Sequence, residues 1–459
     1  MKPAFPHFAA GICLLLSSLS PARAQMVFPA ELAGHAWLPA RSFVDAPKDA
    51  PAFLRSSGKF TAPDGRRVEQ LESIMGTSYI SDKAAPRETG VRLPFKSQAV
   101  QGFSGIKRMA DGTFWVLTDN GFGSRNNSAD AMLMFHQVRP DWKRGAVTRL
   151  QTRFLHDPDR KIPFLIVNEA TDKRYLTGAD LDIESMQIVG QELWFGDELG
   201  PYLIRTDLQG KVLALYETQA DGRTLKSPDH YTVGTPGAPG SFGGGVSVRR
   251  SRGFEGMALS KDGRFLYPLL EGALWSERDK QLETKDGREY LRVLEFDIAK
   301  GAWTGRSWKY LLEANGNSIG DFNMIDADTG LIIERDQGEG LVEEACNGPA
   351  HADCQNTPAR LKRIYKVSLT EADAEGFVRK IGYIDLLDIA DPQGVARRGA
   401  RNGRFAFPFV TIENVDVVDA EHIVVANDNN LPYSSGRQNG VQDDNEFILL
   451  KVPELLKAR

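Results

Sequence analysis

Five times along this chain an alternating apolar run starts from a small or acidic residue, turns, and returns as a second apolar-aromatic run ending in Asp, Glu or Asn. The five stretches are GFSGIKRMADGTFWVLTDNG from Gly102, DIESMQIVGQELWFGDELG from Asp182, GFEGMALSKDGRFLYPLLEG from Gly253, GDFNMIDADTGLIIERDQG from Gly320 and IENVDVVDAEHIVVANDNN from Ile412. Period-two alternation interrupted by turn residues reads as a hairpin of two short strands. Further strand pairs follow each of the first four, such as AMLMFHQVRP with AVTRLQTRFLHD and YLIRTDLQG with KVLALYETQ. After the fifth there is only EFILLKV. The unit is therefore four strands, two inner and two outer, with alternating charge on the outer pair.

Self-similar four-stranded units predict an all-β fold, a β-propeller. Five repeats are readable, and a sixth, degenerate one has room in residues 30–100 or 336–412. The strand missing from the last unit is expected from the N-terminal region, in RRVEQLESIMGTSYI, where it closes the ring and removes sheet edges. A β-sandwich is the alternative. High Gly (44) and Pro (24) fit many short strands joined by turns. The expected organisation is a leader over residues 1–24, an N-terminal segment over 25–100 that supplies the closing strand, and the propeller over 101–459.

The leader reading rests on Lys2, an apolar stretch over residues 8–19, and the Ala22-Arg23-Ala24 cleavage pattern. The stretch is too short to span a bilayer as a mature helix. A periplasmic or secreted protein without membrane insertion follows. Losing Lys2 and Arg23 from 56 basic residues leaves 54 against 61 acidic, a net charge of −7. That argues against a nucleic-acid partner. Only Cys346 and Cys354 remain, in CNGPAHADC, and an exported chain is expected to join them as a disulfide. His351 lies between them, but three ligands in nine residues make poor zinc geometry.

Residues at equivalent inner positions of a propeller converge on one axis. Aligned on their polar starts, the repeats place Ser104, Glu184, Glu255, Asn323 and Glu413 there, 80, 71, 68 and 90 residues apart. The strand-end position holds Asp119, Asp197, Glu271, Glu334 or Asp336, and Asp428. Converging carboxylates repel unless water or a cation compensates. Oxygen donors of this kind suit Ca²⁺, and the low His content disfavours zinc or iron. The expected metal set is Glu184, Glu255, Asn323, Glu413 and Asp119. Arg125, Arg335 and Arg437 each follow the second strand of a unit, so they are expected on one face. There, with Asp428 and Asn430, they would hold an anionic substrate group. The alternative is that each arginine pairs with nearby acids. GFSGI lacks the last glycine of a nucleophile elbow. GSFGGGVSVRR lacks the Lys-Ser/Thr of a P-loop and reads as a loop.

Three stretches, GFSGIKRMADGTFWVLTDNGFGSR, GFEGMALSKDGRFLYPLLEG and NDNNLPYSSGRQNGVQDDNEFILLKV, resemble the phytase-like family, whose label is "esterase-like activity of phytase". The resemblance covers residues 101–452, nearly the whole mature chain. It implies hydrolysis of phosphate or other esters. In β-propeller phytases, similar in architecture, acidic channel residues bind Ca²⁺ and the ions bind phosphate. The expected protein is thus a monomeric, Ca²⁺-supported hydrolase of a small anionic or ester substrate, with Glu184, Glu255 and Glu413 as ligands or general base. A non-catalytic binding propeller of the cell envelope is one alternative. A Ca²⁺-dependent lactonase or carboxylesterase is the other.

Overall fold

The computed structural model describes residues 25–233 and 245–459. The expected leader and the first residues of the Gly240 loop lie outside them. Among the described residues, strands dominate, and the one α-helix is the short Pro453–Lys457.

Most strands among the described residues fall into five antiparallel sets, called sheets below, of which the first and fifth are joined by a parallel pair at Ala146 and Trp37. The first runs from Phe103–Arg108 outward through Phe114–Thr118, Met134–Asp141 and Ala146–Phe154. The second is Ile183–Val189, Glu192–Asp197, Tyr202–Asp207 and Val212–Glu217. The third is Phe254–Leu259, Phe265–Leu270, Arg288–Asp297 and Ala302–Leu311. The fourth is Ser318–Met324, Thr329–Arg335, Lys362–Ser368 and Arg379–Asp385. The fifth takes Ile412–Val417, His422–Asn427 and Asn445–Lys451 from the C-terminal part, and its fourth strand, Glu31–Leu38, from the N-terminal part.

The fourth strand of the fifth sheet is thus not the stretch expected to supply it. RRVEQLESIMGTSYI holds instead the short strand Ile74–Thr77, which pairs with Glu88–Leu93. Glu31–Leu38 is suited to the place because its side chains alternate and His35, fully buried, meets Glu446 of the neighbouring strand at 3.0 Å.

Each inner strand touches the inner strands of two other sheets. Phe103–Arg108 meets Ile183–Val189, which meets Phe254–Leu259, then Ser318–Met324, then Ile412–Val417, which returns to Phe103–Arg108. The apolar core follows the same cycle, with one cluster between each pair of sheets. Phe135 and Phe195 pack between the first and second, Trp194 and Phe296 between the second and third. Trp308 and Tyr365 pack between the third and fourth, Ile333 and Ile448 between the fourth and fifth, and Phe447 and Val116 between the fifth and first. Coverage on both faces explains why Ser318–Met324 is buried throughout, whereas the outer Ala146–Phe154 shows the half-exposed pattern. The arrangement is propeller-like and nearly all-β.

Residues 40–100 build a separate lobe. Val91, Leu93, Phe95 and Ala99 share a small core with Phe122 and Leu431. Arg87, 2% exposed, ties the lobe to the ring. Its Nη1 donates to Glu339 Oε1 (3.1 Å), Gln355 Oε1 (2.9 Å) and Ser435 Oγ (3.2 Å), and its Nη2 to the carbonyl of Cys354 (2.7 Å). Cys354 and Cys346 are joined as the expected disulfide.

Candidate functional site

Every inner strand has an irregular register near its start. The shift falls between Ser104 and Ile106, Ile183 and Ser185, Phe254 and Gly256, Ile319 and Phe322, and Ile412 and Asn414. A bulge adds a residue without a partner and re-aims its side chain. In the second, third and fifth sheets that residue is Glu184, Glu255 and Glu413. Their carboxylates come together, with one oxygen of each inside a 4.8 Å group.

In the first sheet the unpaired residue is Gly105, and the fourth sheet breaks the pattern as well. The residue after Ile319 is Gly320, and a Cβ there would lie 1.9 Å from the carbonyl oxygen of Ile412. No side chain fits. Asn323, expected as the fourth donor, sits three residues further along. Its Oδ1 accepts from Lys107 Nζ (2.8 Å) and Gln187 Nε2 (2.9 Å), and its Nδ2 donates to the carbonyl of Val415 (2.7 Å). The structure does not bring it to the glutamates.

The ends of the second strands add a second tier. Asp119, Glu198, Glu271 and Asp428 stand one step beyond the last pairs, Arg335 stands in the last pair of its strand opposite Ser318, and all five line the same cavity of about 810 Å³. The expected Asp197 and Glu334 lie one residue earlier and face the other way. Asp197 accepts the amides of Asp182 and Gly200, and Glu334 accepts from Tyr310, Asn317 and Lys380. A one-residue slip in a strand exchanges its faces. Glu198 and Asp182 went unnamed as site residues in the sequence. Glu198 is betrayed only by the D-E pair, where either acid could be the axial one.

Eight carboxylates therefore share this cavity, from Asp119, Asp182, Glu184, Glu198, Glu255, Glu271, Glu413 and Asp428, against two arginines, Arg252 and Arg335. Arg335 Nη2 donates to Glu413 Oε1 at 2.6 Å and lies 3.6 Å from both Glu255 and Glu271. Ser104 Oγ donates to Glu413 Oε2 at 2.9 Å. Arg252 pairs with Glu271 and donates to Ser318 Oγ at 2.8 Å. Asn120 Nδ2 holds Asp182 at 2.6 Å, and Gln101 Nε2 holds Asp119 at 3.1 Å.

The arginines crowd one side, and the proton affinities follow. Burial, then the nearest carboxylate, pushes Asp119, Glu184, Glu198, Glu255 and Asp428 well above the ordinary range. Burial also raises Asp182 and Glu413. Glu271 goes the other way: burial works to raise it, but Arg252 and Arg335 overcome that and hold it low.

The site's donors fit a hard cation. The Oε1 atoms of Glu198 and Glu255 are buried without a hydrogen-bond partner. Asp182, Glu184 and Glu198 offer oxygens within 4.8 Å of one another, as do Glu184, Glu255 and Glu413, and Glu198, Glu255 and Glu271. Oxygens bound to Ca²⁺ at about 2.3–2.6 Å can stand no more than about 5 Å apart, so these groups are the right size.

Of the remaining expected residues, Asp428 and Asn430 line the cavity, and Asn430 Nδ2 is buried without a partner. Arg125 does not reach it. It lines a different cavity beside Phe164 and Tyr202, with its Nε on the carbonyl of Ala179 (2.8 Å). Arg437 does not reach it either, because Glu446 fills its fork at 3.0 and 2.8 Å.

Comparison with known proteins adds a family and distant folds. The phytase-like family, described as "Esterase-like activity of phytase", matches residues 98–431. A secreted protein of Arthroderma benhamiae is 29% identical over 130 residues, which is 26% of this chain and 24% of that one. The chain thus spans about a quarter of that relative's length. The periplasmic gluconolactonase of Pseudomonas aeruginosa is 12% identical, with a TM-score of 0.30 over 83% of this chain and 99% of its own. The PQQ-bound aldose sugar dehydrogenase of Streptomyces coelicolor is 10% identical, with a TM-score of 0.32 over 77% and 95%. Likeness at that level carries no argument about chemistry.

Proposed function

The chain belongs to the phytase-like family, and on that premise we propose that it is an exported, monomeric hydrolase of phosphate esters with a Ca²⁺-supported site. The site sits at the mouth of a five-bladed propeller closed by Glu31–Leu38. One observation carries this reading: buried carboxylate oxygens from separate sheets face one another without hydrogen-bond donors. Such a cluster is costly unless protons or a cation neutralise it. The disulfide and the likeness to a secreted protein support export.

Glu184, Glu198, Glu255 and Glu413, with Asp182 and Asp119 behind them, would hold the ion. When bound, a divalent cation polarises the phosphoryl oxygen and acidifies water. The chain's own residues do the rest. Arg335, oriented by Glu413, and Arg252 hold the anionic group of the ester. Ser104 fixes Glu413 in turn. Glu255, on the edge of that carboxylate group and within reach of Arg335, would take the proton of the attacking water.

The test is purified protein with and without EDTA, assayed on p-nitrophenyl phosphate, bis-p-nitrophenyl phosphate and a lactone. Calcium-dependent turnover of the phosphate esters is expected. Turnover of the lactone alone moves the protein to the lactonase class, and turnover of none leaves a binding propeller. Glu255→Gln is expected to lower turnover at least about 100-fold and to remove most of the calcium-dependent rise in Tm. Unchanged activity in that variant removes Glu255 from the mechanism.

A further inference from the structure

The cavity above the acids has a second half that the chemistry just described does not use. Its wall carries apolar and aromatic side chains, mainly from the N-terminal lobe, Ile74, Met75 and Tyr79, joined by Phe122 and Tyr433, with Thr61, Thr77, Asn126 and Asn127 among them. Ile74 belongs to the lobe's own core, where Phe122 is 2% exposed, so this wall is built and held in place. Tyr79 reaches the cavity from a backbone bonded to Tyr433 through its amide (3.1 Å). Arg87 and Ser78, the residue before Tyr79, whose Oγ donates to Glu339 at 2.7 Å, clamp it to the ring.

The cationic side is equally restricted. No lysine lines the cavity among the described residues, and its two arginines already face Glu255, Glu271 and Glu413. Eight carboxylates surround them. A ligand carrying many phosphates would find one place for an anionic group at the arginines and, across the apolar side chains, no partner for the rest of its charge.

We infer that the substrate is a monoester with a single anionic group at the arginines and an apolar or aromatic alcohol portion against Ile74, Met75, Phe122 and the two tyrosines. A polyanion such as inositol hexakisphosphate is excluded. This rests on the hydrolase reading for its word "substrate", but the recognition it describes is independent of turnover.

The test therefore reads binding as well as rate. Calorimetry in excess Ca²⁺ compares phenylphosphonate, methylphosphonate and inositol hexakisphosphate as ligands of the disulfide-bonded protein. Phenylphosphonate is expected to bind at least about tenfold more tightly than methylphosphonate, because the ring removes five more carbons from water. Inositol hexakisphosphate is expected to compete poorly. Met75→Gln and Ile74→Ser, both on the wall, should shrink the phenyl-over-methyl preference while leaving methylphosphonate binding unchanged. In turnover the same variants should raise KM for p-nitrophenyl phosphate and leave glycerol 2-phosphate alone. Equal affinity for the two phosphonates, tighter binding of inositol hexakisphosphate, or variants that weaken every ligand alike would overturn the inference. Selective phosphonate binding without hydrolysis of any ester would leave the inference standing and sink the hydrolase.

Discussion

Arg437 follows a strand end in a loop of Ser and Gly, the kind of place from which an arginine reaches substrate. Here Glu446, fully buried, accepts both arms of its fork, and Arg398 and His35 complete the set around that carboxylate. Burial works against ionising Glu446, yet Arg437, His35 and Arg398 overcome it and hold the carboxyl far below its usual range. Arg437→Ala should therefore cost about 3–5 kcal/mol of stability, with KM for any ester unchanged in the folded fraction. A group with a depressed folded pKa adds stability above its unfolded pKa of about 4.5 and loses it as pH falls. Urea unfolding from about pH 5 down to about pH 2 should show a shallower acid loss in the variant. Asp321 gives the opposite sign. Burial raises its carboxyl to about 8, although it accepts the amides of Val415 (2.9 Å) and Phe322 (2.7 Å). Between about pH 4 and 8 the folded chain keeps a proton that the unfolded chain releases, so stability falls as pH rises. Asp321→Asn mimics the protonated form. It should flatten the decline from pH 6 to 8 by about 1 kcal/mol or more, and parallel curves for the two proteins would show that Asp321 is ionised when folded.

At the scale of elements, the bulged inner strand is what turns an ordinary hairpin into a carboxylate donor. Its acid stands out in the sequence because it opens an otherwise apolar alternation, and Glu184, Glu255 and Glu413 were legible for that reason. The fourth strand was not, since Gly320 is chosen by the nearness of Ile412 O, and a polar-residue search steps past a glycine to Asn323. At strand ends the ambiguity is one residue, and only three-dimensional register separates Asp197 from Glu198. The lobe was illegible as part of the cavity because its binding to the ring depends on Arg87 reaching residues more than 250 positions away. That clamp predicts a measurable coupling. The disulfide closes a loop with a sequence separation of 8, worth about 2.5 kcal/mol in the chain-entropy view. It also shapes the loop whose Cys354 carbonyl receives Arg87. Reduction, or Cys346→Ser with Cys354→Ser, should lower Tm and, in hydrogen exchange, deprotect residues 74–93 before the five sheets. Uniform loss of protection across the molecule would show that lobe and ring unfold as one unit.

Over the whole molecule, side chains as far apart in the chain as Ser104 and Glu413 touch because the inner strands contact one another in a cycle. The site therefore depends on the ring staying shut. The fifth sheet owes its outer strand to Glu31–Leu38, which pairs along Asn445–Lys451 and meets the first sheet at Ala146. Its Leu32, Ala36 and Leu38 are buried between sheets, and His35 meets Glu446 at 3.0 Å. A chain beginning after Leu38 would leave Asn445–Lys451 as an open edge beside exposed apolar surface, which invites pairing between molecules. Such a protein is expected to elute as aggregates and to lose the calcium-dependent rise in Tm, because Glu413 lies two strands inward on the same sheet. A synthetic peptide of residues 25–42 should add back the strand by augmentation, restoring a monomeric peak and the calcium response together. Size exclusion and scanning calorimetry of the truncated protein, with and without the peptide, measure both. A truncated protein that stays monomeric and still responds to calcium would mean that four sheets and three strands hold the carboxylates in place on their own.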